Sequence, residues 1–153
     1  MTYIKRLSYF CFISLLCFAC TEYPKDPNNT LNKVTNGTLV VGYSENKPWV
    51  IKTEREPQGT EAELIKSFAS GLNSKIIWHS GSEEVLFKKL ENKEIDLIIA
   101  GLTEGTPWKT RMVGFTIPYT TKEKENHVIT IQEGENAFLG KLEKFLIEKT
   151  RDK

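Results

Sequence analysis

The run "IDLIIAGL", residues 95–102, constrains this chain more than any other stretch. It lacks the in-out alternation of a half-solvated sheet, so it must be covered on both faces, as a central strand of a parallel sheet is. The segments before it agree. "GTLVVGY" reads as a strand behind a Gly turn, "QGTEAELIKSFASGL" as an amphipathic helix, "KIIW" as a second strand and "SEEVLFKKLENKE" as a second helix. Thr60 and Glu63 have capping-box spacing, with Leu64, Ile65, Phe68 and Leu72 on one face. Ser82 is placed to cap the second helix, with Leu86, Phe87 and Leu90 facing inward. Strand, helix, strand, helix, strand in this order implies right-handed crossovers and a three-layer α/β domain on an open, mostly parallel sheet. "HVITI" supplies one more strand. "NAFLGKLEKFLIEKT" closes the chain as a helix capped by Asn136, with Phe138, Leu142 and Phe145 inward.

The first residues belong to a different task. Lys5 and Arg6 precede an apolar run, 7–19, that is too short to span a bilayer as a mature helix, the pattern of an export signal. Ala19-Cys20 resembles the cleavage junction of bacterial lipoprotein signals, which implies that Cys20 carries a lipid and fixes the exported protein to a membrane. Residues 20–36, rich in Pro, Asn, Thr and Lys, then read as a flexible tether, and 37–153 as one lobe. All three cysteines, Cys11, Cys17 and Cys20, fall at or before that junction. The folded part therefore has no disulfide, thiol nucleophile or cysteine metal ligand. Of 21 basic residues Lys5 and Arg6 leave with the signal, so 19 face 20 acidic ones, a balance that gives no electrostatic case for nucleic acid.

In an open parallel sheet, ligands sit beyond the carboxyl ends of the strands. Two loops qualify, "SENKPW" and "TEGTPWK", each pairing an aromatic ring with hydroxyls or charge. Together, "GTLVVGYSENKPWV", "QGTEAELIKSFASGL", "LFKKLENKEIDLIIAGLT" and "FTIPY" resemble the first lobe of the family 3 solute-binding proteins, the periplasmic amino-acid receptors of ABC importers. The resemblance implies an exported binding protein, with a small amino-acid-like solute and an ABC transporter or other membrane protein as partners. In that family the chain leaves the first lobe after Pro-Tyr, builds a second lobe and returns. Here Pro118-Tyr119 leads directly to a returning strand and final helix, so a single lobe is expected, completed by a partner or by a second copy in a homodimer.

By the same resemblance Trp49 stands where the family sets an aromatic ring against the ligand, and Thr103 and Thr106 stand near its carboxylate-binding hydroxyls. Lys109 occupies the position of the family's carboxylate-binding arginine. There is one extra residue between Thr103 and Thr106, and Arg111 lies two residues further on. An ammonium acts as a point charge where a guanidinium would grip with two parallel hydrogen bonds. Each residue also has a plainer reading: Trp49 and Trp108 as packed loop rims, Lys109 and Arg111 as solvated charges, and Thr106-Pro107 as a helix start. His79 and His127 are too isolated for a metal site, and no nucleophile motif or triad spacing is present, so neither enzyme nor cofactor is expected. Good small-molecule sites bury about 70–90% of the ligand. One open lobe covering roughly half turns a micromolar receptor into a millimolar one. The rival expectation is a protein-interaction module that uses the same face and binds no small molecule.

Overall fold

In the computed structural model, which describes residues 25–150, the apolar run forms a strand over Leu97–Ile99 that is buried at every position. Leu97 and Ile99 enter one hydrophobic cluster and Ile98 and Ala100 the other, so both faces of the strand are covered. In chain order the strands are β1 (Thr38–Tyr43), β2 (Lys75–Ser80), β3 (Leu97–Ile99), β4 (Val113–Phe115), β5 (Thr120–Lys122), β6 (Glu125–His127) and β7 (Thr130–Gln132). The helices are α1 (Thr30–Val34), α2 (Thr60–Gly71), α3 (Glu83–Glu91) and α4 (Asn136–Thr150), with a 3-10 turn at Pro107–Thr110. The main sheet has the order β2-β1-β3-β7-β4. β1 is parallel to β2 and β3, while β7 runs antiparallel to β3 and β4. Helices α2 and α4 pack on one face through Ile65, Phe68, Phe138, Leu142 and Leu146. α3 packs on the other through Leu86, Phe87 and Leu90. This is the three-layer, mostly parallel α/β lobe read from the sequence.

Several local expectations are corrected. The leader, Cys20 and the first residues of the expected tether lie outside the described residues, but the rest of that tether is folded. Residues 30–34 form α1, and Val34 is fully buried in the core. The segment is stitched to the far end of the chain by reciprocal capping. Asp26 Oδ1 accepts from the backbone N–H groups of Ala137 and Phe138 at the start of α4. Glu135 in turn accepts from the N–H groups of Asn28 and Thr30 at the start of α1. Asp26 thus caps α4 from the far end of the chain, and the low apolar content of 25–36 concealed polar caps that satisfy helix ends.

The capping box at Thr60 does not form either. Gly59 precedes α2 at φ 104°, and no side chain caps the helix. Its first N–H groups are satisfied by the loop before it, Thr60 donating to Pro48 O and Glu61 to Trp49 O. A Cβ on Gly59 would stand 2.5 Å from Trp49 O, so only glycine allows this approach. Leu64 and Phe145 are partly buried, and Glu61 and Leu146 take the deeper positions on the two inner stripes. "HVITI" is not one strand: His127 ends β6, Val128 and Ile129 make the bend, and β7 begins at Thr130.

That bend creates the fold's most informative feature. β5 and β6 pair as a separate antiparallel hairpin with Lys122 opposite Glu125. The two residues between them, Glu123 (φ 53°) and Lys124 (φ 69°), both have positive φ, as the tight turn of a two-residue hairpin requires. The chain therefore returns to the main sheet at once after Tyr119, with no second lobe between.

Candidate functional site

The loops that leave β1 and β3 meet at the carboxyl ends of those strands. In the first loop, Asn46 and Val50 exchange backbone hydrogen bonds, and Asn46 Nδ2 donates to Ala100 O. This sets Trp49 beside Gly101, which has φ 62°; a Cβ there would lie 2.5 Å from the indole Cδ1. His127 lies against the indole with ring centroids 4.0 Å apart, and Tyr119 meets it edge-on at 6.2 Å. Trp49 is thus 8% exposed, and Lys122 Nζ stands over its ring, 5.4 Å from the centroid. Thr103 bridges to His127 beside this group. Glu104 is held to the same hairpin, its N–H donating to Asn126 O and its carboxylate accepting from Asn126 Nδ2.

The remaining predicted residues face elsewhere. Thr106 Oγ1 accepts from Trp108 N–H at the start of the 3-10 turn. Trp108 stacks on Phe87, with centroids 4.7 Å apart, and its Nε1 donates to Glu83 at 2.6 Å. Arg111 pairs with Glu91 at 3.0 Å and lies over Trp108. Lys109 is exposed, and among the described residues its ammonium is in no ion pair. So Trp49 and Thr103 share one rim with Tyr119 and His127, Trp108 and Arg111 are committed to α3, and Thr106 and Lys109 lie on the loop between. Among the described residues, no group of three His, Cys, Asp or Glu side chains could hold a metal ion.

Sequence reasoning missed the residue that ties these loops together. Glu61 is fully buried. Its Oε1 accepts from the Tyr119 hydroxyl at 2.6 Å and its Oε2 from the Gly101 N–H at 2.8 Å. One carboxyl thus joins the start of α2, the loop after β3 and the "FTIPY" segment. Burial pushes its pKa up to about 7, against the opposing effect of hydrogen bonds from Tyr119, Gly101 and Ala100. Burial, then the charge of Glu61 and its hydrogen bond, drives the Tyr119 phenol well above its ordinary range. The available signal was spacing, since Glu61 shares the face of Ile65, Phe68 and Leu72. His127 Nδ1 is buried with no hydrogen-bond partner among the described residues.

An α/β lobe with loops converging on one strand end, an aromatic ring at the rim and hydroxyls beside it defines a solute-receptor lobe. The chain belongs to the bacterial extracellular solute-binding proteins, family 3, which match residues 39–152. No curated protein sequence matches it. Among solved structures it is similar to the arginine-bound form of domain 1 from TmArgBP, with 26% identity, a TM-score of 0.66, and coverage of 73% of this chain and 93% of that one. The ancestral cationic amino acid solute binding protein AncCDT-1, also described as a precursor of cyclohexadienyl dehydratase, shares the fold at 16% identity and a TM-score of 0.70, with 80% of this chain and 94% of that one covered. Against an arginine-bound, truncated ArgBP from T. maritima the identity is 28% and the TM-score 0.51, over 58% of this chain and 42% of that one. Among the described residues no helix is long and apolar enough to cross a membrane.

Proposed function

We propose that this chain is a non-enzymatic, single-lobe receptor for a small zwitterionic amino acid, exported and held to a bacterial membrane through a lipid on Cys20. The observation that carries the reading is the likeness to domain 1 of TmArgBP: a lone lobe of the same fold, solved with arginine bound and covered over 93% of its length. The hairpin turn at Glu123-Lys124 supports it, because the chain closes neatly where a second lobe would begin. In this reading Lys109, exposed and in no ion pair among the described residues, attracts the solute carboxylate, whereas Arg111 is taken by Glu91. Thr103 offers its hydroxyl. Thr106 accepts a backbone N–H and keeps its own O–H to donate. Trp49 and Trp108 form apolar rims on either side. A membrane transporter, or a second copy of the chain, covers the open side of the solute.

Melting-temperature screening of residues 21–153 with amino acids and small carboxylates tests this reading. A rise with one solute that Lys109→Ala abolishes is the expected result, because a ligand that binds only the folded state stabilises it. No rise at millimolar solute, with specific capture of a protein that is lost on Trp108→Ala, identifies the face as a docking surface instead. Met112, 71% exposed on the same loop, is the feature that favours that second reading. Sedimentation of the same protein reports whether copies pair. Unchanged maturation and membrane attachment in Cys20→Ser would remove the lipid anchor from the account.

A further inference from the structure

The Trp49 indole is already engaged by a cation, and the chain itself supplies it. Lys122 Nζ stands 5.4 Å from the ring centroid, within the distance at which an ammonium is attracted to an aromatic face. Lys122 is the last residue of β5, immediately before the two-residue turn that replaces a second lobe. Trp49, Lys122 and His127 line a hollow of about 180 Å³, together with Glu123, Glu125 and Lys47. Among the described residues no carboxylate pairs with Lys122, and its side chain is otherwise exposed. Glu123 of the turn and Glu125 of β6 border the same hollow as Lys47, so once Lys122 swings away its rim holds two carboxylates against one ammonium, a balance favourable to positive charge. Inside it, the His127 imidazole is 5% exposed and its Nδ1 lacks a partner among the described residues, so a polar group entering there would find an unsatisfied atom.

We propose that Lys122 is a tethered competitor for the Trp49 face, and that the hollow takes the cationic side-chain end of an amino-acid solute when Lys122 swings away. This rests on the solute-receptor reading above and adds to it a built-in occupant and a selection for positively charged solutes. An ammonium on a four-carbon stem is held by one weak contact here, so its departure is a side-chain rotation and leaves the hairpin hydrogen bonds in place. The hairpin thereby does two jobs: it closes the chain and weakens solute binding in proportion to the fraction of molecules in which Lys122 covers the ring.

The test uses the full chain in detergent, with arginine and its uncharged analogue citrulline as probes, in the wild type and in Lys122→Met. Removing a contact of this kind should tighten arginine binding about two- to five-fold and leave citrulline binding within error. Without solute, the Lys122 ε-CH₂ protons of the wild type should resonate upfield, shielded by the indole ring. Equal arginine affinity in the two proteins, or ε protons at their ordinary position, overturns the competitor role while leaving the receptor reading intact. Absence of binding by either solute in both proteins overturns the receptor reading and this inference together. Matching unfolding midpoints of the two proteins exclude a folding defect as the cause.

Discussion

Glu61 has an unusual position for a carboxyl: sealed in the core, bonded to Tyr119 and Gly101, with its pKa pushed up from 4.5 to about 7. Near pH 4.5 and below, the folded and unfolded states both hold the proton. Between 4.5 and about 7 only the folded state does, so stability falls as pH rises through that window, by at most roughly 3 kcal/mol. Denaturant unfolding at pH 5, 6, 7 and 8 should show the decline, and Glu61→Gln should flatten it. A profile in Glu61→Gln as steep as that of the wild type would mean that another group is responsible. Glu135 acts in the opposite sense. Burial opposes its ionisation, but hydrogen bonds from Thr30 and Asn28 outweigh burial and hold its pKa below the ordinary value. The stability it lends is lost as pH falls through its folded pKa. Gly101 is the second sensitive point, because its positive φ and the nearby indole both exclude a side chain. Gly101→Ala should cost about 1–3 kcal/mol, read as a shift in the denaturation midpoint. The position of Trp49 and Thr103 on the loops after β1 and β3 was legible through their neighbours in sequence. The roles of Glu61 and His127 were not: spacing puts Glu61 on the inner face of α2, but its partners Gly101 and Tyr119 come from distant segments that local pattern does not reveal.

At the scale of elements, apolar periodicity located α2, α3, α4 and the three parallel strands, since burial on one or both faces dictates residue type directly. It failed where polar groups make the structure. α1 reads as tether in the sequence because polar groups hold it in place: Glu135 accepts from the N–H groups of Asn28 and Thr30, and Asp26 completes the exchange by capping α4. Asp26→Ala should destabilise the fold by about 1–2 kcal/mol and raise amide exchange in both α1 and the first turn of α4. Exchange confined to α1 would show that the cap does not couple the two helices. The hairpin gives a prediction of opposite sign. Glu123 and Lys124 adopt positive φ that Asn and Gly take with less strain. Replacing the pair by Asn-Gly should therefore raise stability by roughly 1 kcal/mol, measured as a higher denaturation midpoint.

Over its described residues the molecule is one lobe of a receptor fold, with a two-residue turn where the family's second lobe would begin. The lobe's identity was legible because several ordered motifs fall at the strand ends. The site's present state was not, since Lys122 over Trp49 and Glu91 on Arg111 are pairings between segments far apart in sequence. They divide the expected ligand residues into one rim around Trp49 and another committed to α3, with Lys109 the exposed charge between. Titrating arginine into isotope-labelled protein while following backbone amide resonances tests most directly whether a lone lobe of this kind receives a solute. The account predicts saturable shifts centred on Thr103, Thr106 and Lys109, with a dissociation constant on the order of 0.1–10 mM. Shifts scattered over the surface without saturation, or none at all, would contradict it.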